Sequence, residues 1–262
     1  MTGSEREREL AQIKLKLDMD KDSMNAHEQF LKEVSMHWEP LTNRVIGNVD
    51  WSPTIKFGVG PNKTTEDVAV IKINTSKIDD TNFCGNIIDL GTSIPALRLE
   101  EMMNANANEG HTFRYPYHRL LRLQGTIPEE DTYRSPWLDS DGEPFTMVIK
   151  HGIKTGLTVG HANNMRSCVR YSCPDGLKHH SMEWPVFSFD RKSDFSDRGD
   201  SGAVVADGNG RIAGIVTSGN SETLTMSIDI TYVSHIDEIM RTIRRKFPKA
   251  NLNPQLARPT HD

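Results

Sequence analysis

From Pro40 to His235 the chain keeps returning to short apolar or alternating runs, each closed by glycine, proline, asparagine or aspartate. RVIGNVDWS, DVAVIKI, NIIDLGTS, RLLRLQGTI, FTMVIKHG, TGLTVGHA, SCVRYSC, MEWPVFSF, GAVVAD, RIAGIVTSG and LTMSIDITYV follow one another in this way. Runs of this length, without helices between them, bury their apolar sides only by stacking sheets or by closing one sheet on itself. The expected fold class is mainly β, a sandwich or a barrel.

The flanks have a different texture. RELAQIKLKLD sets Leu10, Ile13 and Leu17 on one helical face, DKDS interrupts, and Asn25 with Glu28 reads as an N-cap and its reciprocal partner. Phe30, Val34 and Trp38 then recur at spacing four as far as Pro40, so a helical hairpin or a broken helix is expected. Ile236, Ile239, Met240 and Ile243 predict a terminal helix that Pro248 ends, with a loose tail after it. NANANEG reads as a polar loop.

Ser201 lies in Gly199-Asp200-Ser201-Gly202, directly before an apolar strand. A serine hydroxyl attacks only when a base takes its proton, and the oxyanion that develops needs fixed donors. A glycine turn supplies such donors, here the amides of Gly199 and Ser201. Asp207–Gly208 and Asn209–Gly210 are turn dipeptides, so the strands on either side of DGNGR are expected to form a hairpin. An esterase elbow does not fit, because Ala203 stands where the second glycine is needed and no helix follows.

The block FSDRGDSGAVV…GRIAGIVTSG…DITYVSHIDEIMRTI resembles the C-terminal barrel of a trypsin-like serine peptidase of the chymotrypsin fold. The upstream stretch VIKHGIKTGLTVGH resembles a K-x-G-x-x-T-G-x-T-x-G run carried by intracellular fungal members of that fold. The resemblance implies two antiparallel six-stranded barrels, the first incomplete. A helical arm would occupy residues 1–43, the rest of the first barrel 44–146, the second barrel 147–247 and a flexible tail 248–262. It implies peptide-bond hydrolysis with Ser201 as nucleophile, Gly199 in the oxyanion hole and Asp67, in TTEDVAVIKI, as the acid that orients a histidine.

That histidine is missing. The family carries it upstream of the aspartate in a T-A-x-H stretch, where this chain offers only His27 and His37, both on predicted helix. Two explanations stay open: the part bearing the base is lost, or the lineage no longer catalyses. Residues 5–40 resemble a helical insertion that fungal relatives place between the histidine and the aspartate. The chain as given is therefore expected to be catalytically impaired, and a non-catalytic peptide-binding module is the alternative.

Phe195 stands where the specificity pocket of this fold begins, with Thr217, Ser218 and Gly219 at its rim. An aromatic floor implies a small or apolar substrate side chain, although Asp194 and Asp197 are near and Phe195 also reads as a core aromatic. Cys168, Cys173, His179 and His180 lack the short loops of a zinc site, so neither metal nor cofactor is expected. A net charge of -5 gives no footprint for nucleic acid, and no run approaches the roughly 20 apolar residues of a membrane span. The expected partner is a peptide or protein substrate, and the helical arm or an open barrel edge is expected to serve association. Three sparse cysteines and a polar N-terminus point to a cytoplasmic protein.

Overall fold

The structure, a computed structural model, describes residues 3–105, 113–132, 135, 137–138, 142–172, 176–190, 193–219 and 229–254. In chain order the elements are α1 (Gly3–Trp38), α2 (Leu41–Arg44), β1 (Gly47–Trp51), β2 (Lys56–Val59), β3 (Thr64–Glu66), β4 (Val70–Ile73), a 3-10 turn (Thr75–Lys77), β5 (Ile87–Asp89), α3 (Ala96–Met103), β6 (Leu120–Arg122), α4 (Glu129–Thr132), β7 (Trp137–Leu138), β8 (Pro144–Gly152), β9 (Gly156–Asn163), β10 (Ser167–Ser172), β11 (Lys178–Ser188), β12 (Val204–Asp207), β13 (Ile212–Gly219), β14 (Ile230–His235) and α5 (Ile236–Lys246). They fall into two units, Met1–Asp50 with Ile71–Ile78, and Trp51–Val70 with Asp79–Asp262. The predicted polar loop NANANEG lies largely outside the described residues, as does the tail from 255 onward.

In the first unit α1 runs unbroken through the DKDS segment where the sequence suggests a break. Acidic and serine side chains lower helix propensity only by tenths of a kcal/mol per residue, roughly, and no glycine or proline lies between Gly3 and Pro40. Pro40, which cannot donate, ends the helix. β1 and β4 form a two-stranded ladder in which Asn74 N–H also reaches the Ile46 carbonyl.

The second unit is built on a closed ring of six strands, β8–β9–β11–β14–β13–β12 and back to β8, every pair antiparallel. Closure leaves the ring without an edge. β11 is long enough to pair with β10 over its first half and with β14 and β9 over its second. Val148, Ala162, Trp184, Val186, Val205 and Val233 fill the interior. Residues on the opposite face of β8 and β9, among them Met147, Ile149 and Val159, pack on Leu99 and Met103 of α3 and on Ile88 and Leu121 of the β5–β6 ladder. Burial on both faces explains why FTMVIK reads as a continuous run rather than an alternation. α3 is a helix the strand pattern did not suggest; its amphipathic turns bury Leu99 and Met103.

The predicted β12–β13 hairpin is present. The Asp207 carboxylate accepts from the amides of Asn209 and Arg211 and from the Arg211 guanidinium, and Gly210 N–H returns to the Asp207 carbonyl. α5 is capped by the His235 ring accepting from Asp237 N–H, and it ends on Arg244, Arg245 and Lys246, where cations suit the helix dipole. Ile236 and Met240 seat it against Ile212. Glu66, buried at the end of β3, accepts from Arg245 and Thr242 and ties the β2–β3 hairpin to the helix. The molecule is thus mainly β, with one closed barrel and a helix at each end. Among residues 44–146, expected as the rest of a first barrel, β1–β4, β2–β3 and β5–β6 form separate two-stranded ladders.

Candidate active site

The turn ahead of β12 is held from both ends. Asp200 N–H reaches the Asp197 carbonyl, Ala203 N–H the Asp200 carbonyl, and Gly202 N–H the Val216 carbonyl on β13. Gly199 at φ 114° and Gly202 at φ 87° take backbone positions that a side chain resists, and they turn the chain out around an exposed Ser201. Among the described residues, the amides of Gly199 and Ser201 and the Ser201 hydroxyl bond to no protein atom.

Asp200 faces the other way, into the barrel, where its side chain is fully buried. Its Oδ1 accepts from Lys154 N–H at 2.7 Å, and its Oδ2 accepts from the Thr155 hydroxyl at 2.6 Å and from Asp197 N–H at 3.2 Å. Lys150 Nζ, equally buried, lies 3.3 Å from Oδ2 and donates to Thr155 Oγ1 at 2.5 Å. Burial alone would raise the Asp200 pKa. The bonds from Thr155, Lys154 and Asp197 and the Lys150 charge outweigh it, holding this carboxyl well below the usual carboxylate range. Burial pushes the Lys150 ammonium down, and Asp200 pulls against that shift.

These contacts give the upstream K-x-G-x-x-T-G-x-T-x-G run a physical meaning. Lys150 and Thr155 hold Asp200. A Cβ at Gly152 would sit 2.3 Å from Asp200 Oδ1, so only glycine admits the carboxylate. Thr158 Oγ1 donates to the Phe195 carbonyl at 2.8 Å, and a Cβ at Gly160 would strike the Phe195 ring at 2.7 Å. One β-hairpin, β8–β9, is thus shaped to the loop that presents Ser201. Lys150, Thr155 and Thr158 are residues that site reasoning from the sequence missed. The run was visible in the sequence, but not the partner it serves.

Phe195 is fully buried among the interior side chains with Lys150 Nζ 5.5 Å from its ring centroid, so it stands in the core rather than on an open pocket floor. Its N–H is received by Asp229, whose carboxyl is pushed up by burial and further by the charges of Asp194 and Asp197. Ser196 and Thr231 join hydroxyls at 2.6 Å beside it. Thr217 bonds the Tyr232 carbonyl and Ser218 the Tyr171 hydroxyl. The β12 partner of β13 stops at Ile215, so among the described residues Thr217–Gly219 are paired on the β14 side alone.

Asp67 is exposed just past β3, in a small cleft of about 80 Å³ with Thr64, Glu238, Thr242 and Arg245. The strand expected to open with it begins at Val70. Among the described residues no hydrogen bond joins Asp67 to Ser201 or any histidine to either. His27 and His37 are exposed on α1, His27 bonding back to the Ser23 carbonyl. His151, on β8 beside Gly152, holds its Nδ1 2.6 Å from the Asp89 carbonyl. Cys168 is exposed on β10, and Cys173 lies outside the described residues.

No protein-family model and no curated protein matches this sequence. Among solved structures it is similar to Nocardiopsis protease (NAPase), with 18% identity over 52% of this chain and 55% of that one and a TM-score of 0.30. It is also similar to Thermobifida fusca protease A (TFPA), with 18% identity over 53% and 56% and a TM-score of 0.29. The matched region spans about half the length of either protease.

Proposed function

We propose that the chain carries the nucleophile half of a trypsin-like serine endopeptidase site and is catalytically impaired as it stands. Ser201 is the attacking hydroxyl, the amides of Gly199 and Ser201 receive the oxyanion, and Asp67 is the acid assigned to a base that no described histidine supplies by a hydrogen bond to the serine. The observation that carries this reading is the turn itself: an exposed serine between two positive-φ glycines, its amides unclaimed, locked from behind by a buried Asp200. A glycine turn with no chemical role has no need of so elaborate an anchor.

Without its base such a site keeps only the contribution of oxyanion donors and substrate binding, a loss of roughly 10⁴–10⁶ in rate relative to an intact triad. A fluorophosphonate probe should therefore label the protein slowly, the label should vanish in Ser201→Ala, and free imidazole should accelerate it. Fast labelling that Ser201→Ala abolishes would overturn the impairment, and His151 would be the first ring to test as base. Slow labelling that Ser201→Ala leaves unchanged would overturn the hydrolase reading.

The side of Thr217–Gly219 that no described strand pairs supports the second reading, a peptide-binding module, because an extended peptide can add there as a further strand. Peptide affinity that survives Ser201→Ala, with no Ser201-dependent labelling, would select it.

A further inference from the structure

Among the described residues of its own unit, α1 presents a largely exposed seam from Leu10 to Trp38. Leu10, Ile13, Leu17, Asp20, Met24, His27, Leu31, Val34 and Trp38 alternate at spacings of three and four, a heptad register with a at 10, 17, 24, 31 and 38 and d between them. Leu10, Ile13, Leu17, Met24, Leu31 and Trp38 are between 52% and 64% exposed. A helix of 36 residues, about 54 Å long, draws its stability in water chiefly from the face it buries. This one buries almost nothing against the described residues of its own unit.

We propose that α1 pairs antiparallel with α1 of a second copy of this chain, centred on residue 22. The charge pattern selects both occupant and direction. In this register each a residue meets a partner d residue: Leu10 with Val34, Ile13 with Leu31, Leu17 with His27, Met24 with Asp20. Flanking the seam, Lys14 faces Glu28 and Glu9 faces His37, each pair occurring twice by symmetry. Lys16 lies over Phe30, and Arg6 falls opposite Trp38, both cation–π geometries. The only like-charge contact is Lys21 with its own copy. A parallel in-register pair would instead place Asp20 against Asp20 and His27 against His27 in the seam, and its flanks would cancel, Glu9 with Lys14 twice against Lys16 with Lys21 twice. Asp20 and His27, in adjacent layers of the antiparallel pair, are polar seam residues of the kind that fix register at the expense of stability. The inference does not depend on the chemistry at Ser201.

The test is the mass of the full chain in solution, by sedimentation or light scattering, up to about 100 µM, which would populate a dimer of even micromolar Kd. The expected mass is twice that of the monomer. Leu17→Glu with Leu31→Glu should give monomer throughout, with the thermal transition of the barrel unchanged. Lys14→Glu alone and Glu28→Lys alone should each weaken association about tenfold, since two attractive pairs become two repulsive ones. The double reversal should restore it. A monomeric wild type, or a dimer that persists in Leu17→Glu/Leu31→Glu, would overturn the proposal. A double reversal no better than the single ones would overturn its antiparallel register.

Discussion

Asp200→Ala is expected to cost the barrel about 3–5 kcal/mol, the range found when one member of a buried ion pair is removed and the other is left behind. The penalty has two sources. Lys150 Nζ keeps the Thr155 hydroxyl and, at 3.4 Å, the Gly156 carbonyl, but no counter-charge. Lys154 and Asp197 lose the acceptor for their amides. The pH dependence separates these effects. In the wild type the folded pKa of Asp200 is depressed, so its stabilisation is complete above the ordinary carboxylate value near 4 and drains away as pH falls below it. In Asp200→Ala that acid limb should flatten. The limb on the alkaline side should grow. Burial already lowers the Lys150 pKa, and losing Asp200 lowers it further, so the unfolded chain binds the extra proton. Stability of the variant should then rise with pH on the approach to about 10.4, the unperturbed lysine value. Urea midpoints from pH 3 to pH 10 measure both limbs, and an alkaline limb no larger than in the wild type would mean that Lys150 is not the stranded charge.

The same pair marks where the sequence stops being legible. The strands were readable because alternation, β-branching and turn dipeptides are local signals, and the β12–β13 hairpin follows from DGNGR alone. The ring closure was legible only through the resemblance, because it depends on β8 meeting β12 over more than fifty intervening residues. That pairing is also what brings Lys150, Gly152 and Thr155 to Asp200, so the K-x-G-x-x-T-G run was visible as a pattern long before it had a partner. On α1 the error was of another kind. Two short apolar faces were seen on either side of DKDS, although Asp20 and His27 occupy seam positions of one continuous heptad. Polar residues in a seam look like a break when each half is read alone. α3 was hidden by its length of eight residues, too short for its period to stand out among strands.

Phe195→Ala is the other substitution with a large expected effect, and it tests what the aromatic is for. A fully buried phenylalanine truncated to alanine costs roughly 3–5 kcal/mol from lost transfer energy and from the cavity left behind. Collapse into that space is hindered here. Backbone lies close against the ring at Gly160, where an added Cβ would come within 2.7 Å of it. A pocket-floor residue would behave differently, leaving the unfolding midpoint in place while shifting cleavage or binding preference. Because the ring also lies against the Lys150 ammonium, its loss should not add simply to the loss of Asp200. In a double-mutant cycle measured by urea unfolding, Phe195→Ala and Asp200→Ala should couple by about 0.5–3 kcal/mol, as contacting sites do. Both damage one anchor, so the pair should cost less than the sum, and the slow Ser201-dependent labelling should fall in either single variant. Strict additivity would separate the aromatic from the ion pair. It would leave the turn that presents Ser201 resting on Asp200 alone.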